Sequence, residues 1–274
     1  MNTLAALSSS QYELVLNVLN LSIAVLGGSS LLFILLLRNV AQNYSISVAM
    51  MAAVTGMAAY HYFRIYQSWI AAFAQQGSQY APTGAVFSYT YRYADWMGTV
   101  PLLAAVMLVL DLGRKKSASL VTRMVVAALM MIVLGFVGEQ QTGNLLGRAV
   151  WGALSMVPFF YILYVLWTEM GQVLLFESDR VRELFSTLRL VLLFSWSFYP
   201  LVYCIPLLGL KGAGIFSVVQ VANSAADLLA KVGVGLFILA IAREKTEEDL
   251  AAGQATGQTA GQMANAFPAG AAAD

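Results

Sequence analysis

The chain of 274 residues is 59% hydrophobic but only 11% charged, and its formal net charge is +1. A soluble domain carries roughly a quarter charged residues, so this composition excludes a soluble globular protein and indicates an integral membrane protein. The sequence also has no basic face for nucleic acid, no phosphate-binding glycine loop and no Cys/His spacing for a metal.

Seven apolar segments follow one another, and each has at least the roughly 20 residues that a helix needs to cross a bilayer. They cover about 12–37, 46–71, 91–112, 119–138, 147–172, 184–209 and 215–242, and polar residues interrupt one of them. Short connections separate the segments, which predicts one all-α membrane domain, a seven-transmembrane-helix bundle over residues 1–247. The Gly-, Ala- and Gln-rich residues 248–274 predict a disordered cytoplasmic tail.

Lysine and arginine predict the orientation of the bundle. The first residues lack the basic start of a cleavable signal, so we expect the first helix itself to direct insertion. Basic residues collect at one set of helix ends: Arg38, Arg114, Lys115, Lys116, Arg123, Arg180, Arg182, Arg189, Arg243 and Lys245. The opposite connections carry little more than Arg148 and Lys211. The positive-inside rule therefore predicts the N-terminus outside and the C-terminus in the cytoplasm.

Five ionisable residues lie within the predicted spans: His61, Arg92, Asp95, Asp227 and Lys231. Because ionisable side chains are costly at bilayer depth, each is a candidate functional residue. With the histidine neutral, their charges sum to zero. This balance predicts a cluster whose members compensate one another.

The third predicted helix carries polar residues on one side. Arg92, Asp95 and Thr99 are spaced by three and four residues and therefore stack along one face. Val106 lies three turns beyond Asp95 on the same face, about 16 Å away. A proton wire along this face would meet a valine, which cannot hold a proton.

The sixth and seventh predicted helices each leave two interpretations open. Asp227 and Lys231, four residues apart, form either a structural ion pair or a site where a nucleophilic amine condenses with an aldehyde. Trp196, Tyr199 and Tyr203 share a face of WSFYPLVY. This stripe indicates either ordinary packing or the wall of a slot for a long, flat, apolar ligand.

Three motifs carry a resemblance to a known family. RYADWMGTVPLL, WSFYPLVY and DLLAKVG, on the third, sixth and seventh predicted helices, resemble the microbial rhodopsins over about residues 12–245. AAYHYFRIYQSW and WGALSMVPFFYILYVLW resemble the branch of xanthorhodopsin and Gloeobacter rhodopsin, which is near the proteorhodopsins. The resemblance implies all-trans retinal bound as a Schiff base, in a multi-pass, homo-oligomeric protein of a bacterial inner membrane. It implies proton movement across a lipid bilayer and no enzymatic reaction.

The resemblance also implies roles for single residues. Lys231 would hold retinal, Asp95 would be the counterion and proton acceptor, and Asp227 the second counterion. Arg92 would gate proton release to the outside, and His61 would hydrogen-bond the counterion carboxylate.

Further residues would surround the chromophore. Trp96, Trp196, Tyr199, Pro200 and Tyr203 would line the polyene, and Leu103 matches the position where leucine accompanies green absorption. A glycine at position 152 opens, in the xanthorhodopsin branch, a window for a carotenoid antenna. The alternative is that Gly152 simply lets helices approach closely.

The sequence departs from the outward proton pumps of the family at one position. Pumps usually carry a carboxylic acid where this chain has Val106, so the triplet reads Asp95, Thr99, Val106. Asp111, five residues further on, is rotated by roughly 140° and faces elsewhere. We therefore expect an outward proton pump whose proton returns slowly from cytoplasmic water, and more slowly as the pH rises.

Other functions compete with this prediction. A sensory photoreceptor would exploit a long-lived deprotonated state and would need a transducer protein. A sodium pump is disfavoured because the Asn/Asp/Gln triplet is missing, and a chloride pump because Asp95 already supplies the negative charge. Inward proton transport stays open, as does a transporter or receptor without a chromophore.

Overall fold

The computed structural model describes residues 5–109, 118–169, 171 and 174–266. Within these residues six long helices precede a seventh: α1 (Ser9–Leu36), α2 (Gln42–Ala72), α3 (Thr90–Val109), α4 (Ala118–Glu139), α5 (Leu145–Trp167) and α6 (Asp179–Cys204). The seventh helix consists of α7 (Ala213–Leu228), a π-helical turn (Leu229–Gly233) and α8 (Val234–Ala266). The predicted seven-helix membrane fold is confirmed.

Length and composition identify the membrane-spanning helices. Six described segments are long and apolar enough to cross a bilayer: Ser9–Asn39, Gln42–Ala72, Ser119–Glu139, Leu145–Trp167, Asp179–Leu208 and Ala213–Gly253. The remaining helix, α3, contains Arg92 and Asp95, so it matches the predicted segment that polar residues interrupt. Large apolar side chains are exposed on the outer faces of the helices, among them Val157, Phe194 and Leu201. Such surfaces suit contact with lipid rather than water.

Two apolar clusters fill the interior of the bundle. The larger contains Val54 and Ala230, and the second contains Ala58, with Leu228 packed against it. The boundary between the clusters therefore falls between residues 54 and 58 on α2 and near residue 229 on the seventh helix. Lys231 lies at this boundary, between Ala230 of the larger cluster and Val232, which packs against the second.

A small β-sheet, which the sequence did not predict, covers the predicted outer end of the bundle. Strands β1 (Leu7–Ser8), β2 (Phe73–Gln76) and β3 (Gln79–Pro82) pair antiparallel in the order β1-β3-β2. Gly77, with a φ of +62°, occupies the turn between β2 and β3. The two-residue connection of Gly77 and Ser78 is a signal for a β-hairpin, but it lies between two long apolar segments, and the prediction does not include it.

The helix α8 extends further than the sequence predicts. It continues to Ala266, whereas the sequence predicts a disordered tail from residue 248. Tyr44 donates a hydrogen bond to Asp249 at 3.0 Å, and Lys245 pairs with Glu177 at 2.5 Å, so the first turns beyond the membrane are fixed to the bundle. Alanine and glutamine have high helix propensity, which favours helix in this Ala- and Gln-rich segment. Residues 267–274 lie outside the described residues.

Candidate functional site

The π-helical turn places a lysine in the interior of the bundle. Lys231 lies within Leu229–Gly233 and is only 1% exposed. Such turns insert one extra residue into a helix and often occur at functional sites. A buried ammonium group requires negative partners, because an unpaired charge is costly in an apolar interior.

Two carboxylates supply those partners. Lys231 Nζ lies 2.7 Å from Asp227 Oδ1 and 2.9 Å from Asp95 Oδ2, and both aspartates are 1% exposed. Asp227 comes from the preceding turn of the same helix, whereas Asp95 reaches the amine from α3. Arg92 Nη1 adds a second positive charge 3.7 Å from Asp227 Oδ2. The structure therefore brings together two positive and two negative side chains, as the balance of charges in the sequence predicts.

The two carboxylates differ in their hydrogen bonds. Four side chains donate to Asp227 at 2.6–3.1 Å: Tyr62, Trp96, Tyr199 and Lys231. Within the described residues, no hydroxyl, indole or guanidinium group donates to Asp95, whose close contact is the ion pair with Lys231. Thr99, predicted to belong to the site, donates instead to the backbone carbonyl of Asp95 at 2.9 Å. The negative charge of Asp227 is thus held by several donors, while that of Asp95 depends on the lysine.

Tyr62 and Gln220 belong to the site, although the sequence did not predict them. Arg92 donates to the Tyr62 hydroxyl and to Gln220 Oε1, each at 3.1 Å. Tyr62 in turn donates to Asp227, so Arg92 is connected to that carboxylate through a tyrosine as well as by charge. The signal for Gln220 is a polar stripe at helical spacing on α7, where Ser217, Gln220 and Ser224 precede Asp227 and are buried.

The hydrogen bond predicted between His61 and Asp95 is replaced by another contact. His61 Nδ1 lies 2.9 Å from the Met57 carbonyl oxygen and 3.8 Å from Asp95 Oδ1. The second distance is longer than a hydrogen bond. The His61 side chain is also 21% exposed, whereas that of Asp95 is only 1% exposed. Its role toward Asp95 stays a prediction.

Aromatic and aliphatic side chains enclose the neighbourhood of the lysine. Trp96 and Tyr199 meet edge to face at 4.9 Å between ring centroids, and each also donates to Asp227. Trp196 and Leu103 are buried in the same apolar cluster, while Pro200 is half-buried within α6. A buried amine, paired carboxylates and flat apolar walls fit a long apolar aldehyde such as retinal.

Tyr203 contacts α5, and its place beside the polyene stays a prediction. Its hydroxyl donates to the Arg148 carbonyl oxygen at 2.7 Å, and the Arg148 guanidinium lies 4.4 Å from the centre of its ring. A Cβ atom at Gly152 would lie 2.5 Å from Tyr203 Cε1. The missing side chain of Gly152 therefore admits the Tyr203 ring, which supports the alternative of close helix packing.

Substitution of Gly152 tests this packing. We expect Gly152→Ala to lower the stability of the folded protein by about 1–3 kcal/mol, because the new methyl group forces the Tyr203 ring to move. Gly28→Ala is the matched control, since nothing lies within 4 Å of a Cβ atom at that position. Thermal denaturation of both variants gives the comparison. Equal stability of the two variants would contradict the packing role, as would failure of Tyr203→Ala to relieve the effect of Gly152→Ala.

The region around Val106 is apolar. Val106 is fully buried in a cluster that includes Leu192 and Ile238. Among the described residues, Thr55 on α2 and Ser195 on α6 are buried, and their hydroxyls donate to carbonyl oxygens of their own helices at 2.8 and 3.1 Å. Asp111 lies outside the described residues.

Comparisons with known proteins agree with this architecture. Residues 14–245 match the family described as bacteriorhodopsin-like protein. A green-light absorbing proteorhodopsin from Gamma-proteobacterium EBAC31A08 is 28% identical over 223 residues, which cover 80% of this chain and 82% of the relative. The chain spans 56–59% of the length of several bacteriorhodopsins and archaerhodopsins that it matches.

Two solved structures are similar over most of the chain. Thermophilic rhodopsin is 42% identical, with a TM-score of 0.86, and the match covers 90% of this chain and 99% of that one. Xanthorhodopsin, described as a light-driven ion pump with dual chromophore, is 41% identical, with a TM-score of 0.86 and coverage of 90% and 98%. The similarity therefore extends over the whole bundle rather than the site alone.

Proposed function

The chain belongs to the bacteriorhodopsin-like family of microbial rhodopsins, near the proteorhodopsins, and on this premise we propose that it is a light-driven outward proton pump with slow turnover. The observation that carries the proposal is the position of Lys231 Nζ between two unequal carboxylates, 2.9 Å from Asp95 and 2.7 Å from Asp227. The family binds retinal, and we propose that Lys231 is its attachment point here. Bound retinal would supply the absorption of visible light and the isomerisation that drives transport.

The first proton transfer runs from Lys231 Nζ to Asp95 Oδ2. Their 2.9 Å separation is within the range for direct transfer between two heavy atoms. Asp227 holds its negative charge through four donors, so it remains the fixed counterion while Asp95 receives the proton. This division of roles follows from the different hydrogen bonding of the two carboxylates.

The exit route leads from Asp95 toward the predicted outer end. Arg92 lies one turn before Asp95 on α3, and Gln220 Oε1 accepts from its Nη2. A guanidinium cannot give up its own proton in a protein. Arg92 therefore acts by charge: movement toward or away from Asp95 changes how strongly that carboxyl group holds its proton.

The return route leads through the apolar region around Val106. Because no carboxyl group stands at position 106, we propose that the proton reaches Lys231 from cytoplasmic water, without a relay on this face of α3. Water must enter a closed apolar cluster, which makes this step slow. The same slowness favours the second candidate function, a sensory photoreceptor that signals to a transducer protein while Lys231 is deprotonated.

A light-induced pH change in cells decides between the two functions. We expect cells that express the chain with added retinal to acidify their medium on illumination, and a protonophore to abolish the change. Lys231→Ala is the control, because it removes the attachment point. Pigmented cells that give no pH change would contradict the pump and favour the photoreceptor.

The cellular setting and a second pigment are separate proposals. We propose a bacterial inner membrane, which the bacterial proteorhodopsin relative supports, and we also propose that the chain forms a homo-oligomer there. A carotenoid antenna at Gly152 is supported by the similarity to a pump described with dual chromophore, while the Tyr203 ring beside Gly152 weighs against it. The test is whether added carotenoid contributes to the excitation spectrum of the purified pigment.

A further inference from the structure

A groove on the outer face of the bundle runs between α5 and α6. Five side chains line it: Phe160, Leu163, Tyr164, Trp167 and Leu193. Its volume is about 310 Å³. The four α5 residues share one helical face, because they are spaced by three, one and three residues. Both helices are long and apolar enough to span a membrane, so the groove faces the acyl chains of the bilayer.

An arginine stands at one end of this groove. Arg189 lies one turn before Leu193 on α6, and its guanidinium carbon is 5.5 Å from the centre of the Trp167 ring. Nη1 donates to the Leu166 carbonyl oxygen at 3.2 Å, and Nη2 donates to Ser186 Oγ at 3.3 Å. These two contacts engage two of the five N–H groups that a guanidinium carries.

The charge of Arg189 lacks a carboxylate partner within the described residues. There, no acidic oxygen lies within 4.0 Å of its guanidinium, whereas Arg148 pairs with Glu139 and Arg182 pairs with Asp179, each at 2.6 Å. The neighbours of Arg189 are two aromatic rings, a neutral carbonyl oxygen and a hydroxyl. A positive charge at the edge of an apolar surface favours an anion.

The depth of Arg189 matches the headgroup region. Its guanidinium reaches the last turn of α5, which ends at Trp167 on the predicted cytoplasmic side. Anionic lipids concentrate in the cytoplasmic leaflet and attract basic residues close to the membrane surface. A phosphate at Arg189 would leave an acyl chain of the same lipid directly over the groove.

We propose that this groove binds an anionic phospholipid, with the phosphate on Arg189 and one acyl chain against Phe160, Tyr164 and Leu193. A zwitterionic lipid would fill the groove equally well but would bring its own positive charge to the arginine. The proposed site therefore selects between lipids by charge, while the groove contributes contact area to both. The proposal does not depend on light or on transport.

Lipid competition on the purified protein tests the selection. The protein is equilibrated in the dark with equal amounts of phosphatidylglycerol and phosphatidylcholine of identical acyl chains, and native mass spectrometry gives the ratio of the two bound lipids. We expect Arg189→Gln to lower the preference for phosphatidylglycerol by about fivefold, since one basic residue near a membrane surface contributes on the order of 1 kcal/mol. Arg182→Gln is the matched control, because it removes the same charge from an exposed residue of the same helix.

The groove itself requires a second variant. Leu193→Trp fills the space of the acyl chain, and we expect it to reduce the binding of both lipids without changing their ratio. An unchanged ratio in Arg189→Gln, or an equal change in Arg182→Gln, would overturn the proposal. A groove covered by a second copy of the chain would also overturn it, and cross-linking of Tyr164→Cys between copies in nanodiscs would reveal that arrangement. If Arg189→Gln does not fold, unchanged lipid binding in Leu193→Trp alone rejects the site.

Discussion

Asp95→Asn should abolish light-driven acidification while the pigment still forms. An amide cannot take the proton from Lys231 Nζ, so transport should fall by about 10²-fold or more, the typical contribution of a positioned proton acceptor. Pigment formation should survive, because Asp227 still lies 2.7 Å from the lysine and supplies a negative charge. The measurements are the light-induced pH change in cells and the visible absorption of the purified protein.

Asp227→Asn is the control that separates the two carboxylates. Four side chains donate to the Asp227 carboxylate, but asparagine has only one acceptor oxygen. Its NH₂ group would therefore face donors that it cannot accept from. The substitution would also leave Arg92 and Lys231 with one negative charge between them. We expect a loss of stability of roughly 3–5 kcal/mol, as for other buried charges that lose a partner. The prediction would be contradicted if Asp95→Asn still pumped, or if Asp227→Asn retained full stability.

The arrangement of charges could be predicted from sequence because it rests on helical spacing. Asp227 and Lys231 are four residues apart on one helix, and Arg92 and Asp95 are three apart on another. Such spacings fix which residues share a face before any tertiary contact is known. Apolar runs long enough to span a bilayer fixed the number of helices in the same way.

The unequal hydrogen bonding of the carboxylates could not be predicted from spacing. Tyr62 follows His61 on α2. The sequence predicts a site role for the ionisable His61, but the Tyr62 hydroxyl is the group that donates to Asp227. Its partner is 165 residues away along the chain. Contacts of this kind depend on how the helices pack, and periodicity within one helix carries no information about that.

Tyr203 illustrates the same limit on α6. Its spacing from Trp196 predicts a shared face, but the spacing does not show that the ring packs against Gly152 on α5 or that the hydroxyl donates to the Arg148 carbonyl oxygen. Two glycines, Gly152 on α5 and Gly138 on α4, therefore leave the space in which Tyr203 lies. The sequence predicts separate roles for Gly152 and Tyr203, and only the fold shows that the two residues are in contact.

Val106→Glu should accelerate the return of the proton to Lys231. The carboxyl group would enter the apolar cluster in its neutral form, because a charge there lacks partners among the described residues. A neutral carboxyl group three turns from Asp95 can donate its proton toward Lys231 and then take up another proton from cytoplasmic water. We expect recovery of the dark-state absorption after a flash to become about 100-fold faster, at the lower end of the range for general acid catalysis.

Val106→Gln distinguishes proton donation from simple wetting of the cluster. Glutamine has nearly the same size and polarity as glutamic acid but no proton to give, so its recovery should stay close to that of the parent protein. In the parent protein, recovery should slow as the pH rises, because the proton comes from bulk water. In Val106→Glu that dependence should weaken, because the donor is loaded before the flash. Fast, pH-independent recovery in the parent protein, or equal acceleration by glutamine, would show that Val106 does not limit the return.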